Sequence, residues 1–146
     1  MLSVREIGAE DTHALRRAVL RAANPDADVH FPQDDDPASF HLGAFADGAL
    51  VGIATFTPAA TPHRQGAPAW QLRGMAVAPT HQGRRVGAAI IAEAIDAVRR
   101  RGGTVLWCNA RDTALGFYEK LGFSVLGDGF VTGSTGLPHH AMVCDL

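Results

Sequence analysis

The order of apolar runs along the chain predicts a mixed α/β fold of the α+β type: a mostly antiparallel sheet of six to seven strands with flanking helices. Three observations carry this expectation. Two apolar runs, Phe40–Ala46 and Ala49–Phe56, flank Asp47-Gly48, a dipeptide whose tolerance of positive φ suits a tight type I′ hairpin turn. A strand from Trp70 to Ala78, a helix from about Val86 to Arg101 and a strand from Thr104 to Ala110 form one crossover unit, so those two strands are expected to be parallel. Only one or two such crossovers exist, which argues against a doubly wound nucleotide fold.

Taken from the N-terminus, Leu2 to Ile7 alternates weakly and reads as a first strand. From Asp11 to Ala23, Leu15, Val19 and Ala22 recur at helical spacing, and the pattern stops before Asn24-Pro25. Residues 24 to 39 carry Pro25, Pro32, Pro37 and the acidic run Asp34-Asp35-Asp36, so a loop or short helical turn is expected. The hairpin follows, then a proline-punctuated loop from 57 to 69 with Pro58, Pro62 and Pro68. In the long helix Ala88, Ile91, Ile95 and Val98 form an apolar stripe, while Glu93, Asp96 and Arg100 face water. Asp96 and Arg100 make an i,i+4 pair in the favourable order, and Gly102-Gly103 stops the helix. On the strand that follows, Val105, Trp107 and Asn109 share a face. Asp112 is placed to cap a short helix ending at Leu121-Gly122, and Phe123–Leu126 and Ala141–Asp145 read as two last strands.

At 146 residues the chain is most simply one domain, a size that buries about 68–70% of the unfolded surface. A hydrophobic share of 47% and a charged share of 19% are ordinary for a globular protein. The net charge of −2 gives no electrostatic reason to expect nucleic acid as a partner. No window approaches 18 uninterrupted apolar residues, and Met1-Leu2-Ser3-Val4-Arg5-Glu6 lacks the apolar core of a signal peptide. Neither a membrane partner nor export is therefore expected. Cys108 and Cys144 sit in apolar strand-like runs and read as buried thiols, so a reducing cytoplasm is the default compartment.

The most informative stretch is Val77-Ala78-Pro79-Thr80-His81-Gln82-Gly83-Arg84-Arg85-Val86-Gly87-Ala88-Ala89. It leaves a strand, turns through Pro and Gly, and enters an Ala-rich helix with two arginines at its entrance. The N-terminal N–H groups and macrodipole of a helix favour anions. Cations there cost roughly 0.3–1 kcal/mol each when exposed. Arg84 and Arg85 are poorly placed for helix stability and well placed to hold a phosphate group; the plainer reading is a solvated basic turn.

Three pieces in order extend this reading. Gln71-Leu72-Arg73-Gly74-Met75-Ala76-Val77 leads into Gln82-Gly83-Arg84-Arg85-Val86-Gly87, then come Trp107-Cys108-Asn109-Ala110-Arg111 and Phe117-Tyr118-Glu119-Lys120-Leu121-Gly122-Phe123. Over roughly residues 40 to 128 this resembles the GNAT superfamily of acyl-CoA-dependent N-acetyltransferases. The resemblance implies a GNAT-like fold and acetyl-CoA as co-substrate, without a metal. Gln82, Gly83, Arg84, Val86 and Gly87 fit the family's pyrophosphate motif, with Arg85 where the first glycine usually stands; Ala88 completes the turn. It also implies that Met75 and Val77 offer backbone groups to the pantetheine arm where the fourth strand splays from the fifth. Asn109 is implied to contact the cofactor, and Tyr118 to contact it and to protonate the departing thiolate.

Elementary chemistry supports part of this. A phenol with a reference pKa near 10 stays protonated at neutral pH and can donate to a thiolate whose acid is near 8.5; its plainer role is packing beside Phe117 and Leu121. Many relatives place a Glu on the fourth strand as base, but Gln71 and Arg73 occupy that stretch here. His41, His139 and His140 are candidates, as is a water chain to a carbonyl. His140 and Cys144 share a strand face, yet two ligands do not make a four-coordinate metal site. Asp34-Asp35-Asp36 reads as a solvated loop, or as a rim attracting a cationic amine. Trp70 and Trp107 read as core anchors, and the Trp107 indole N–H needs a partner.

The leading expectation is an acetyl-CoA-dependent N-acetyltransferase acting on a primary amine, either a small molecule or a peptide terminus, by direct transfer. Neither cysteine sits where a thiolate would be stabilised for an acyl-enzyme. The second reading is a non-catalytic CoA-binding sensor or partner-binding module, favoured by Arg85 and by the missing carboxylate. A nucleotide binder of unrelated fold loses on the absent Gly-Lys-Ser/Thr. A homodimer, common among relatives, is left open.

Overall fold

The computed structural model describes residues 1–24, 26–132 and 136–146; the Pro25 at which the first helix was expected to have stopped lies outside them. Strands β1 (Leu2–Ile7), β2 (Phe40–Ala46), β3 (Ala49–Pro58), β4 (Ala69–Val77), β5 (Val105–Arg111), β6 (Ser124–Val131) and β7 (Pro138–Asp145) hydrogen-bond in the order β1-β2-β3-β4-β5-β7-β6. Helices α1 (His13–Leu15), α2 (Val86–Arg100) and α3 (Leu115–Lys120) accompany them. The seven strands, the mixed sheet and the parallel β4–β5 pair are as expected. Contacts divide the chain into two compact units, Met1–Thr57 with Leu72–Asp96, and Pro58–Gln71 with Ala97–Leu146.

In the first unit β1, β2 and β3 form an antiparallel meander, Leu2 pairing with Ala46 and Phe40 with Phe56. Asp47 (φ 50) and Gly48 (φ 85) make the turn, both in the conformation that type I′ requires. The Phe40 and Phe56 rings stack at 5.0 Å across the pair. A bulge after Ala44 shifts the register, and the Val51 carbonyl accepts the Ala78 N–H at 2.8 Å, which ties down the chain leaving β4. A Cβ on Gly52 would sit 2.6 Å from Val86 Cγ1. Glycine there lets the first turn of α2 lie directly on β3.

Two helical expectations need correction. The stretch expected as one helix from Asp11 is a 3-10 turn (Ala9–Thr12), the short α1 and a π-helical turn (Arg16–Leu20). Its fully buried residues are Thr12 and Arg16, whereas Leu15 and Val19 are half-buried. The apolar period pointed to the wrong stripe because an internal ion pair draws Arg16 inward. In α2, Ile91 and Val98 are buried as expected, but Ala88 and Ile95 are only half-buried; Val86, Gly87, Ile90, Ala94 and Ala97 complete the covered face. Small residues widen the stripe of an Ala-rich helix beyond a four-residue pattern.

In the second unit Ala69, Trp70 and Gln71 of β4 pair in parallel with Val105, Leu106 and Trp107 of β5. β5 pairs antiparallel with β7 from Val105–Asp145 to Arg111–His139, and β6 pairs on β7's other side. Both last strands run longer than the sequence suggested, because a register shift between Leu126 and Phe130 carries β6 past Gly127 (φ 80). Ala69, Val105 and Val143 are packed by Trp107 and Leu126. The Trp107 indole finds its partner, donating to the Ala59 carbonyl at 2.8 Å. The cap of the α3 region is not Asp112 but Arg111, which precedes a 3-10 turn at Asp112–Ala114. Gly122 (φ 98) ends α3, with the Phe123 N–H returning to the Tyr118 carbonyl at 3.1 Å.

Candidate functional site

The first unit carries the turn between β4 and α2. After β4 the chain makes a short 3-10 turn at Pro79–His81 and enters α2 at Val86. Residues 82 to 85 are exposed. Gly83 has φ 78 and Arg85 has φ 63, the latter one of two non-glycine residues among those described with positive φ. Arg85 therefore adopts the left-handed conformation that glycine takes most easily, at a cost of roughly 1–2 kcal/mol for an L-residue. Left-handed residues spaced through a turn direct successive N–H groups into one concavity, a nest suited to anions. The Arg85 carbonyl accepts the Ala89 N–H at 3.1 Å, so Val86, Gly87 and Ala88 form the first helical turn, whose N–H groups have no intrahelical acceptor.

Gln82 has a partner within the chain. Its Nε2 donates to the Val77 carbonyl at 3.1 Å, so it braces the turn against the end of β4 and occupies one backbone acceptor. Arg84 and Arg85 have no ion-pair partner among the described residues. Met75 and Val77 follow Gly74, whose φ of 60 interrupts β4. A Cβ at Gly74 would meet the Phe31 ring at 2.5 Å; only glycine admits both the backbone twist and the ring.

Beside that interruption lies a polar cluster the sequence did not reveal. Arg16 and Asp34 make a bidentate pair, Nη1 to Oδ2 at 2.6 Å and Nη2 to Oδ1 at 2.9 Å, with side chains 1% and 3% exposed. Arg16 also donates to the Val29 carbonyl and to Thr55 Oγ1, each at 2.8 Å. Burial alone would raise the Asp34 pKa, but hydrogen bonds from Arg16 and the Phe31 N–H, together with the charges of Arg16 and His41, hold it below the ordinary value. Asp34 is thus neither solvated nor free to attract an amine. In the acidic run only Asp35 and Asp36 are exposed. His41 is buried with Nδ1 on Thr55 Oγ1 at 2.8 Å, and burial followed by the Arg16 charge lowers its pKa against the pull of Asp34. The ring is thus enclosed within the cluster.

The second unit carries Asn109 and Tyr118. Asn109 is exposed on β5 opposite Ala141, and its amide makes no hydrogen bond among the described residues. Tyr118 is 7% exposed. Its ring meets Phe117 and Phe123 edge-on, at 4.9 and 5.4 Å, so packing and chemistry are both open to it. Burial, and then the Cys108 thiol, push the Tyr118 pKa up from 10. The Cys108 thiol is itself pushed up to about 12 by burial, and burial raises Cys144 as well. Neither is a thiolate at neutral pH.

The two remaining histidines differ. His139 is buried, stacked on Phe130 at 5.9 Å, with Nδ1 on the Leu137 carbonyl at 2.8 Å. His140 is half-buried, and its Nδ1 meets Asp112 Oδ1 at 2.6 Å. The carboxylate can only accept, so Nδ1 is the donor and the ring is held in one orientation. Among the described residues no three His, Cys, Asp or Glu side chains converge as metal ligands, and no helix is long and apolar enough to cross a membrane.

Known proteins resemble this chain in sequence and in fold. The acetyltransferase (GNAT) family matches residues 9–123. The Bacillus subtilis (strain 168) protein named uncharacterized N-acetyltransferase YitI is 38% identical over 130 residues, 89% of this chain and 87% of its own. FeeM, an N-acyl amino acid synthase from uncultured soil microbes, superposes with a TM-score of 0.83 at 15% identity, over 99% of this chain and 91% of its own. An aminoglycoside 6'-N-acetyltransferase complexed with coenzyme A gives a TM-score of 0.72 at 16% identity, over 98% of this chain and 96% of its own. At such identities these two structures speak for the fold.

Proposed function

We propose a residue-level account of catalysis that starts from one premise: this chain belongs to the acetyltransferase (GNAT) family. It is an N-acetyltransferase that moves an acetyl group from acetyl-CoA to an amine acceptor. In our reading the turn from Gln82 to Ala88 holds the coenzyme's diphosphate through its main-chain N–H groups, with Arg84 and Arg85 adding charge. The observation that carries it is the pair of positive φ values at Gly83 and Arg85 at the entrance of α2. Arg85 has a left-handed backbone despite its side chain, which weakens one of the two arguments for a non-catalytic module, the other being the missing carboxylate.

Backbone groups around Met75 and Val77 would orient the pantetheine arm and polarise the thioester carbonyl. The exposed amide of Asn109 is a further cofactor contact. The amine nitrogen attacks the carbonyl carbon, the C–S bond breaks, the base takes the proton lost by the amine, and the sulfur leaves as a thiolate. Tyr118 is a hydrogen-bond donor to that sulfur as charge develops. A phenol whose pKa lies above 10 is a weaker acid than a thiol near 8.5, so it keeps its proton and stabilises the thiolate without surrendering it. His140, oriented by Asp112, is the histidine whose surroundings suit the base. High thiol pKa values at Cys108 and Cys144 support direct transfer without an acyl-cysteine, and two unpaired thiols suit a reducing cytoplasm.

The test is transfer itself: purified protein, acetyl-CoA and a panel of amino acids, polyamines, aminoglycosides and peptide N-termini, with free CoA as the readout. Amine-dependent CoA release that falls at least about tenfold in His140→Gln supports the account. Acetyl-CoA binding with no transfer to any amine would restore the sensor reading.

A further inference from the structure

We propose that Arg73 is the docking group for a carboxylate carried by the acceptor, so that the substrates are small amines bearing an acid group rather than polyamines. This rests on the acetyltransferase reading above and adds the acceptor's chemical class to it.

Arg73 is half-buried on β4, immediately before the interruption at Gly74. Its guanidinium carbon lies 5.7 Å from the centroid of the Phe31 ring, and that of Arg16 lies 3.7 Å from the same ring. Two cations therefore share one aromatic residue. Arg16 is neutralised by Asp34, and Arg73 is not. Among the described residues Arg73 has no ion-pair partner and its guanidinium makes no hydrogen bond.

None of the three aspartates of the acidic run pairs with Arg73. Asp34 spends Oδ2 on Arg16 and on the Phe31 N–H (3.0 Å), and Oδ1 on Arg16. Asp35 Oδ2 lies 3.1 Å from His30 Nε2, and Asp36 accepts the Ala38 N–H at 2.9 Å. Burial first, and the Arg16 charge second, make Arg73 less willing to stay charged than a free guanidinium. A guanidinium has five donors, and a partly desolvated one without a partner is costly to keep. An incoming carboxylate removes that cost and matches the planar fork in a bidentate way. A polyamine would meet like charge instead.

The spacing also fits. Met75, around which our reading puts the thioester carbonyl, is two residues on from Arg73, a span of at most about 7 Å of extended chain. An acid held by Arg73 thus belongs to an amine of amino-acid size. The acidic run, read from the sequence as a lure for cations, is displaced by this arrangement.

The experiment is a steady-state comparison with acetyl-CoA as donor and four acceptor sets: the common amino acids, their carboxamides, O-phosphoethanolamine and spermidine. The expected result is a preference of about 100-fold in kcat/KM for an amino acid over its own carboxamide. In Arg73→Gln that preference should collapse below about threefold, with the loss in acceptor KM rather than kcat. Arg73→Lys keeps the charge without the fork and should fall between the two; unchanged melting temperatures confirm that both variants fold. Equal rates on acid and amide, preference for spermidine, or transfer confined to O-phosphoethanolamine would each overturn the assignment. Robust transfer to neutral or cationic amines leaves the acetyltransferase reading standing without Arg73's role, whereas no transfer to any acceptor removes both.

Discussion

Arg16 and Asp34, 18 residues apart, face each other as a bidentate pair sealed from solvent, at 2.6 and 2.9 Å. They close the segment between the first helical turns and β2 over the Phe31 ring. Removing one partner leaves a buried charge uncompensated, which costs about 3–5 kcal/mol. Arg16→Ala and Asp34→Ala should each lose that much by urea denaturation. The double change to hydrophobic residues of similar size should lose far less. A single-variant loss under about 1 kcal/mol would show that the pair is not sealed in solution.

The same cluster sets a pH dependence. His41 has a folded pKa below its ordinary 6.5, so its neutral form is the native one. Its contribution is complete above 6.5 and erodes as pH falls below it. Asp34 is also depressed, from 3.8; its stabilisation is present above that value and is lost as pH falls further. Stability should be flat from pH 7 upward as far as these groups are concerned, decline below about 6.5, and fall again below about 4. His41→Gln should abolish the first decline and keep the second, as read by thermal unfolding at each pH.

Backbone conformation at the turn gives a paired prediction. Gly83→Ala places an L-residue at φ 78, where nothing lies within 4 Å, so only backbone strain opposes it, about 1 kcal/mol. Acetyl-CoA affinity should weaken with it as the nest reshapes. Arg85→Gly relieves strain at φ 63 and should stabilise by roughly 0.5–1 kcal/mol, the remainder being offset by the glycine's freedom in the unfolded chain. Its affinity should drop less than about fivefold, because an exposed charge contact is worth under about 1 kcal/mol.

Tyr118→Phe keeps the ring between Phe117 and Phe123 and removes only the hydroxyl. Turnover should fall at least about tenfold with little change in acetyl-CoA affinity. With the phenol pushed above 10, the wild-type rate should show no alkaline limb from this group below that pH. Unchanged turnover would return Tyr118 to a packing role.

The parts of the fold that were legible are those where local chemistry decides. Asp47-Gly48 announced its turn because two adjacent positive φ values admit few residues. The β4–α2–β5 crossover followed from run lengths and breakers. The first helix was misread because hydrophobic period assumes that apolar residues go inside, whereas Arg16 and Thr12 do. No sequence rule says which of three consecutive aspartates will meet an arginine 18 positions away. Asp112 looked like a cap, yet its carboxylate serves His140 on β7, a pairing that only the sheet register creates. At the turn, residue type suggested a departure at Arg85, and the backbone there kept the glycine-like conformation. The extra charge at Arg73 became visible only after Asp34 was seen to be committed elsewhere.

The most direct measurement of the central claim is a calorimetric comparison of acetyl-CoA with S-acetylpantetheine, which carries the same thioester and arm but lacks the diphosphate and the adenosine 3'-phosphate beyond it. Adenosine 3'-phosphate is the control and should bind far more weakly than acetyl-CoA. If main-chain nitrogens between Gln82 and Ala88 grip the diphosphate, acetyl-CoA binds at least about 100-fold more tightly than S-acetylpantetheine, as the loss of several charge-assisted hydrogen bonds requires. Equal affinities of the two thioesters, or no heat from either with folded protein, would contradict the account.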